Sequence, residues 1–102
     1  MAASSRGKAL LAAATDGDEA ALQRLLERER RLAQLLKATD DEGSTVLHLA
    51  AGGGYEGCMR LCLKAGADVN QADDDGDTPL SMACFYGHTD CTRLCLEAGA
   101  DV

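Results

Sequence analysis

The chain repeats itself at a period of 33 residues. Shifted by that offset, residues 43–69 fall on residues 76–102 with 15 identities in 27 positions. Gly43 meets Gly76, Thr45 meets Thr78, Leu47 meets Leu80, Ala50 meets Ala83 and Gly54 meets Gly87. Cys58, Arg60, Leu61, Cys62 and Leu63 meet Cys91, Arg93, Leu94, Cys95 and Leu96, and residues 65–69 match 98–102 throughout. A period of this length confines the chain to architectures in which one supersecondary unit recurs. Each unit has apolar faces on both sides and buries them only by stacking on its neighbours.

The physics of one unit reads as turn, helix, tight turn, helix, loop. Residues 40–44 and 73–77 are turn-rich stretches around a Gly, which supplies the positive φ that a tight turn demands. Thr78-Pro79 starts a helix: Thr caps it, and Pro takes the first helical position without losing a bond. That helix runs to about Gly87, with Leu80, Ala83 and Cys84 expected on its inner face. A second helix spans about Thr89 to Ala98, with Cys91, Leu94 and Cys95 at i, i+3, i+4 and Gly99 as its stop. The same reading holds from Thr45 through Gly66.

The first unit is less regular. Residues 9–14 read as a first helix, Gly17-Asp18 as the turn, and Ala21, Leu22, Leu25 and Leu26 as the lining of a second helix. From Gly17 to Gly43 is 26 residues, against 22 from Gly54 to Gly76, a surplus of about one helical turn. Residues 19–37 therefore read as a lengthened second helix, with a break near Arg31 as the alternative. The charged run Glu27-Arg28-Glu29-Arg30-Arg31 suits a solvated face at the end of a stack.

The pattern G-x-T-P-L-x-x-A, then G-H, L-x-L and G-A-D-V-N resembles the ankyrin repeat, whose period is 33 residues. Residues 74–102 carry it as Gly76, Thr78-Pro79-Leu80, Ala83, Gly87-His88, Leu94, Leu96 and Gly99-Ala100-Asp101-Val102. Residues 41–70 carry Gly43, Thr45, Leu47-His48-Leu49-Ala50-Ala51, Gly54 and Gly66-Ala67-Asp68-Val69-Asn70. The resemblance implies an all-α solenoid of about three stacked helix-turn-helix units with short hairpin-like loops. The expected organisation is a tail at 1–5, an atypical capping repeat at 6–39, a second repeat at 40–72 and a third, truncated at its end, at 73–102. Val46 stands where the family has Pro and Ser81 where it has His, so the third turn is expected to be less firmly held than the Thr45–His48 turn. Without a polar capping repeat after Val102, the chain reads as the amino-terminal part of a longer array or a truncated one.

Charge narrows the partners. The net charge is −7, but residues 1–39 balance at +2 and residues 40–102 at −9. Repeats this acidic argue against wrapping a phosphate backbone, and either favour a protein partner with a basic surface or simply provide solubility. No apolar run reaches the roughly 20 residues of a membrane span. An odd count of five Cys without a signal-peptide pattern points to a reducing intracellular setting, cytoplasmic or nuclear.

Residues with reactive side chains read as structural. Cys58-x-x-x-Cys62 recurs as Cys91-x-x-x-Cys95, which raises a zinc or redox module as one alternative. Equivalent atoms of stacked helices lie on the order of 10 Å apart, too far for one tetrahedral ion, so buried small hydrophobes explain the pairs better. His48 and His88 have no nucleophile in frame, and Gly52-Gly53-Gly54 lacks the Lys-Ser/Thr of a phosphate loop. The glycine run is instead expected to fray the first helix and leave the surface bare. No catalytic, cofactor or metal residues are assigned, and no cofactor is implied.

In the ankyrin family the contact positions are the turn tips and the end of each first helix. By that resemblance they are Asp41, Glu42, Ser44, Gly52 and Gly53 in the second unit, and Asp74, Asp75, Asp77, Phe85 and Tyr86 in the third. A rigid aromatic pair beside an acidic rim suits a hot spot for a basic partner; the alternative is that the Asp residues merely suit the turns. The functional expectation is a non-catalytic interaction module, an adaptor or scaffold using its hairpin tips and concave helix face. A structural cap for a longer array is the other alternative.

Overall fold

The computed structural model describes residues 4–28 and 32–101, with Leu32 described through its backbone alone. Among the described residues there are seven helices and no strand: α1 (Ser5–Asp16), α2 (Glu19–Arg28), α3 (Leu32–Leu36), α4 (Val46–Gly53), α5 (Glu56–Lys64), α6 (Pro79–Phe85) and α7 (Thr89–Glu97). The choice between a continuous helix over 19–37 and a break near Arg31 lies at 29–31, outside the described residues, as do Met1–Ala3 and Val102.

Local chemistry sets the helix ends. Ser4 caps α1 by accepting the Gly7 N–H at 3.1 Å, so the helix starts at Ser5, one residue inside the expected tail and well before Ala9. Thr78 caps α6 by accepting the Ser81 N–H at 3.2 Å, with Pro79 at the first position. At α4 the cap is a reciprocal box between Thr45 and His48, in which the Thr45 N–H donates to Nδ1 of His48 at 3.1 Å. Gly54 closes α4 at φ 74°, in the left-handed region that L side chains rarely enter. Gly52 and Gly53 do not fray the helix as expected; α4 runs through both, because the Gly54 and Tyr55 N–H groups bond back to Ala51 and Ala50.

The helices pack in two layers. Each unit pairs a first helix with a second, α1 with α2, α4 with α5 and α6 with α7. First helices stack as α1, α4, α6 and second helices as α2, α5, α7, while α3 rests on α1. The seam between the layers is continuous: Leu10, Leu22, Leu47, Met59, Val46 and Pro79 are fully buried. Val46 fills the site that Pro79 fills one repeat later, so an aliphatic side chain replaces the ring without opening the core. Cys58, Cys62, Cys91 and Cys95 are buried beside them. Cys84 departs from the expected inner position and is exposed. Its counterpart Ala51 is covered by α6, whereas no described helix covers the corresponding side of α6.

Polar contacts lock the second unit to the third. The Asp74 N–H donates to the Glu42 carbonyl at 3.0 Å, and the Asp101 N–H to Oδ1 of Asn70 at 2.9 Å. Nε2 of His88 bonds the Gly52 carbonyl at 3.1 Å.

Candidate partner-binding face

The hairpin tips are built from one carboxylate each. Oδ1 of Asp40 accepts the N–H groups of Glu42 and Ser44, both at 2.9 Å. Oδ1 of Asp73 accepts those of Asp75 and Asp77, at 3.0 and 2.8 Å. These side chain-to-backbone bonds hold the loop without a strand ladder. They turn Asp41, Glu42, Asp74, Asp75 and Asp77 outward, and all five are exposed as expected of contact residues. In the third tip the carboxylates of Asp73, Asp75 and Asp77 converge to within 4.8 Å, concentrating negative charge. Ser44 must be corrected: only 6 % of it is exposed, whereas Asp77, with the same pair of backbone bonds one repeat later, is exposed; the second tip has the third packed against it through Asp74.

The end of each first helix differs between units. Phe85 is 80 % exposed and Tyr86 55 %. Their rings meet edge to face, with centroids 4.9 Å apart and planes at 86°. Tyr86 is stacked on His88 at 6.4 Å, and His88 is tied to Gly52, so the aromatic ledge rests on the neighbouring unit. Met82, Phe85 and Tyr86 stand at i, i+3, i+4 and so share one side of α6. Gly52 is half-buried against Met82 and Tyr86.

The surface at Gly53 is not bare, although the sequence suggested it. A Cβ there would fall 2.3 Å from the Tyr55 ring, and one at Gly17 would fall 2.5 Å from the same ring. Tyr55 thus fills the slot between two units, and His88 repeats the placement over Gly54. Sequence reasoning missed Tyr55 and Met82 as neighbours of this face. The signal was the 33-residue offset itself, which pairs Tyr55 with His88.

The outer layer has a different character. Glu56 is ion-paired with Arg60 on α5, and this guanidinium holds the carboxyl below the usual carboxylate range. Asp90 pairs with Arg93 on α7 at 3.4 Å. An open groove of about 460 Å³ between α1 and α2 has Ala9, Ala12 and Leu25 in its walls, with Arg24 and Arg28 beside Asp16 and Asp18. Mixed signs of this kind select no partner charge.

The cysteines are placed for packing. Burial pushes the Cys62 thiol up to about 12 and that of Cys95 to about 11. Cys58 and Cys91 are raised by the same cause. A protonated, buried thiol is a poor nucleophile and a poor metal ligand.

The family model for ankyrin repeats matches residues 6–102 in three copies. The chain is an ankyrin-repeat protein. Ankyrin repeats are generally protein–protein interaction modules, and the stacked helix pairs have the form that role requires. Comparison with curated proteins finds no match. Among the described residues no helix of this ankyrin-repeat chain is long and apolar enough to cross a membrane.

Proposed function

We propose that this ankyrin-repeat chain is a non-catalytic adaptor or scaffold module that grips a protein partner, one with a basic surface, through its hairpin tips and the open side of its first-helix layer. The observation that carries this reading is the Phe85–Tyr86 pair. Two large aromatic side chains are left in solvent, yet held in a fixed edge-to-face arrangement. Ordered aromatic area of this kind contributes binding energy at little entropic cost. Asp41 and Glu42 at one tip, and Asp74, Asp75 and Asp77 at the next, supply the acidic rim, while Gly52 keeps the side of α4 low. The buried thiols and the exposed Cys84 suit a reducing intracellular compartment.

Site-specific photo-crosslinking in cell extract tests the face. A photoreactive side chain at position 85 is expected to capture discrete protein adducts that the same group at position 93, on α7, does not. Equal capture at both positions, or capture at 93 alone, would overturn the assignment.

A further inference from the structure

The charges of the second and third units are divided between the two layers. In residues 40–55 and 73–88, which form the tips and the first helices, there is no Lys or Arg. The carboxylates there are Asp40, Asp41 and Glu42 in one tip and Asp73, Asp74, Asp75 and Asp77 in the other. The basic residues of 40–102, Arg60, Lys64 and Arg93, all lie on α5 or α7 in the second-helix layer. In these two units the tip-bearing side therefore presents negative charge with no Lys or Arg of its own, and such a field selects a cationic partner.

The tip and the aromatic ledge lie at opposite ends of one short helix. The acidic tip ends at Asp77, just before the Thr78 cap, and α6 runs from Pro79 to Phe85. At about 1.5 Å per residue α6 itself is roughly 9 Å long, and the tip lies two residues beyond its start. An extended peptide rises about 3.3 Å per residue, so it spans the distance from tip to ledge in about three to four residues.

Building on the proposed partner-binding role, we infer that the docking segment is a basic, extended peptide. Its Lys or Arg residues sit against the Asp74–Asp77 tip, and about three to four residues away an apolar side chain covers Phe85 and Met82. The acidic tip sets charge selectivity and register. The ledge provides the apolar contact, and Tyr86 and His88 hold it in place from below. Rising salt weakens the first contribution more than the second.

Selection of a random displayed-peptide library on the full chain tests this inference. Enriched peptides are expected to carry Lys or Arg, with an aliphatic or aromatic residue two to four positions away. A selected peptide should bind about tenfold more weakly to an Asp74→Lys, Asp75→Lys double variant and to Phe85→Ala, each checked for native helicity. Phe85→Ala should keep the preference for basic peptides and lose the preference for the apolar residue. Selected peptides that are neutral or acidic would sink the inference while leaving the protein-binding role standing. Basic peptides indifferent to both variants would also sink it. Enrichment of no peptide at all would count against both readings.

Discussion

Nε2 of His48, fully buried in the second unit, bonds the carbonyl oxygen of Asp77 in the third at 2.7 Å. Nδ1 of the same ring accepts the Thr45 N–H, so the bonding pattern assigns the neutral tautomer protonated at Nε2. One side chain thus closes the start of its own helix and fixes the acidic tip of the next repeat. The site and the stack are held by the same residue.

Removing that ring should be costly. His48→Ala leaves the Thr45 N–H and the Asp77 carbonyl without their partner, a loss of about 2–4 kcal/mol. Ser81→Ala, at the equivalent position one repeat later, should stay within about 0.5 kcal/mol because Ser81 is exposed and its hydroxyl bonds to that of Thr78 within its own turn. Urea denaturation midpoints of the two variants measure the difference.

The inter-helix glycines should not be equivalent. Gly17 and Gly87 have φ of 69° and 73°, so both resist a side chain by about 1 kcal/mol. A Cβ at Gly87 meets nothing within 4 Å, whereas one at Gly17 runs into Tyr55. Gly17→Ala should therefore cost about 1 kcal/mol more than Gly87→Ala. Adding Tyr55→Ala should abolish the excess, and a double-mutant cycle of thermal melts reads it directly.

The thiols should separate by accessibility and by pH. Under native conditions a thiol-reactive probe should modify Cys84 and spare the four buried cysteines until the chain unfolds. In the folded state Cys62 keeps its proton up to about 12, against 9.0 for an ordinary thiol. The folded protein then holds more protons than the unfolded chain in that window. Its contribution is complete below pH 9.0 and is lost as pH rises toward about 12. Melting temperature should fall over that alkaline range, and Cys62→Val, which removes the titrating group, should shallow the slope.

Phe85 should matter for binding and not for folding. With 80 % of the residue in solvent, Phe85→Ala should shift stability by no more than about 0.5 kcal/mol. Calorimetric melting of the variant against the parent chain checks this half of its dual expectation.

The repeat was the legible part of the sequence, because period and capping chemistry are local. Thr78-Pro79, Gly54 and the buried Cys58 and Cys62 all follow from spacing alone. What escaped depends on the neighbouring unit. Cys84 has the same frame as Ala51, and only the presence or absence of a covering helix separates their burial. Gly53 looked bare because spacing does not reveal that the Tyr55 ring, two residues on in the same unit, folds back over it. Ser44 sat among exposed tip residues in the sequence, and its burial, unlike the exposure of Asp77 with the same backbone bonds, goes with the third tip packed against the second through Asp74. The acidic rim was visible in composition; its segregation from every basic residue of those repeats required knowing which helix belongs to which layer.

The most direct test maps a bound peptide onto the two layers. In a titration of the isotopically labelled chain with a basic peptide taken from the selection, amide shifts should concentrate at Asp74–Asp77 and at Met82–Tyr86. Perturbation confined to α5 and α7, with the tips and Phe85 unmoved, would place the partner on the outer layer and contradict the binding face described above.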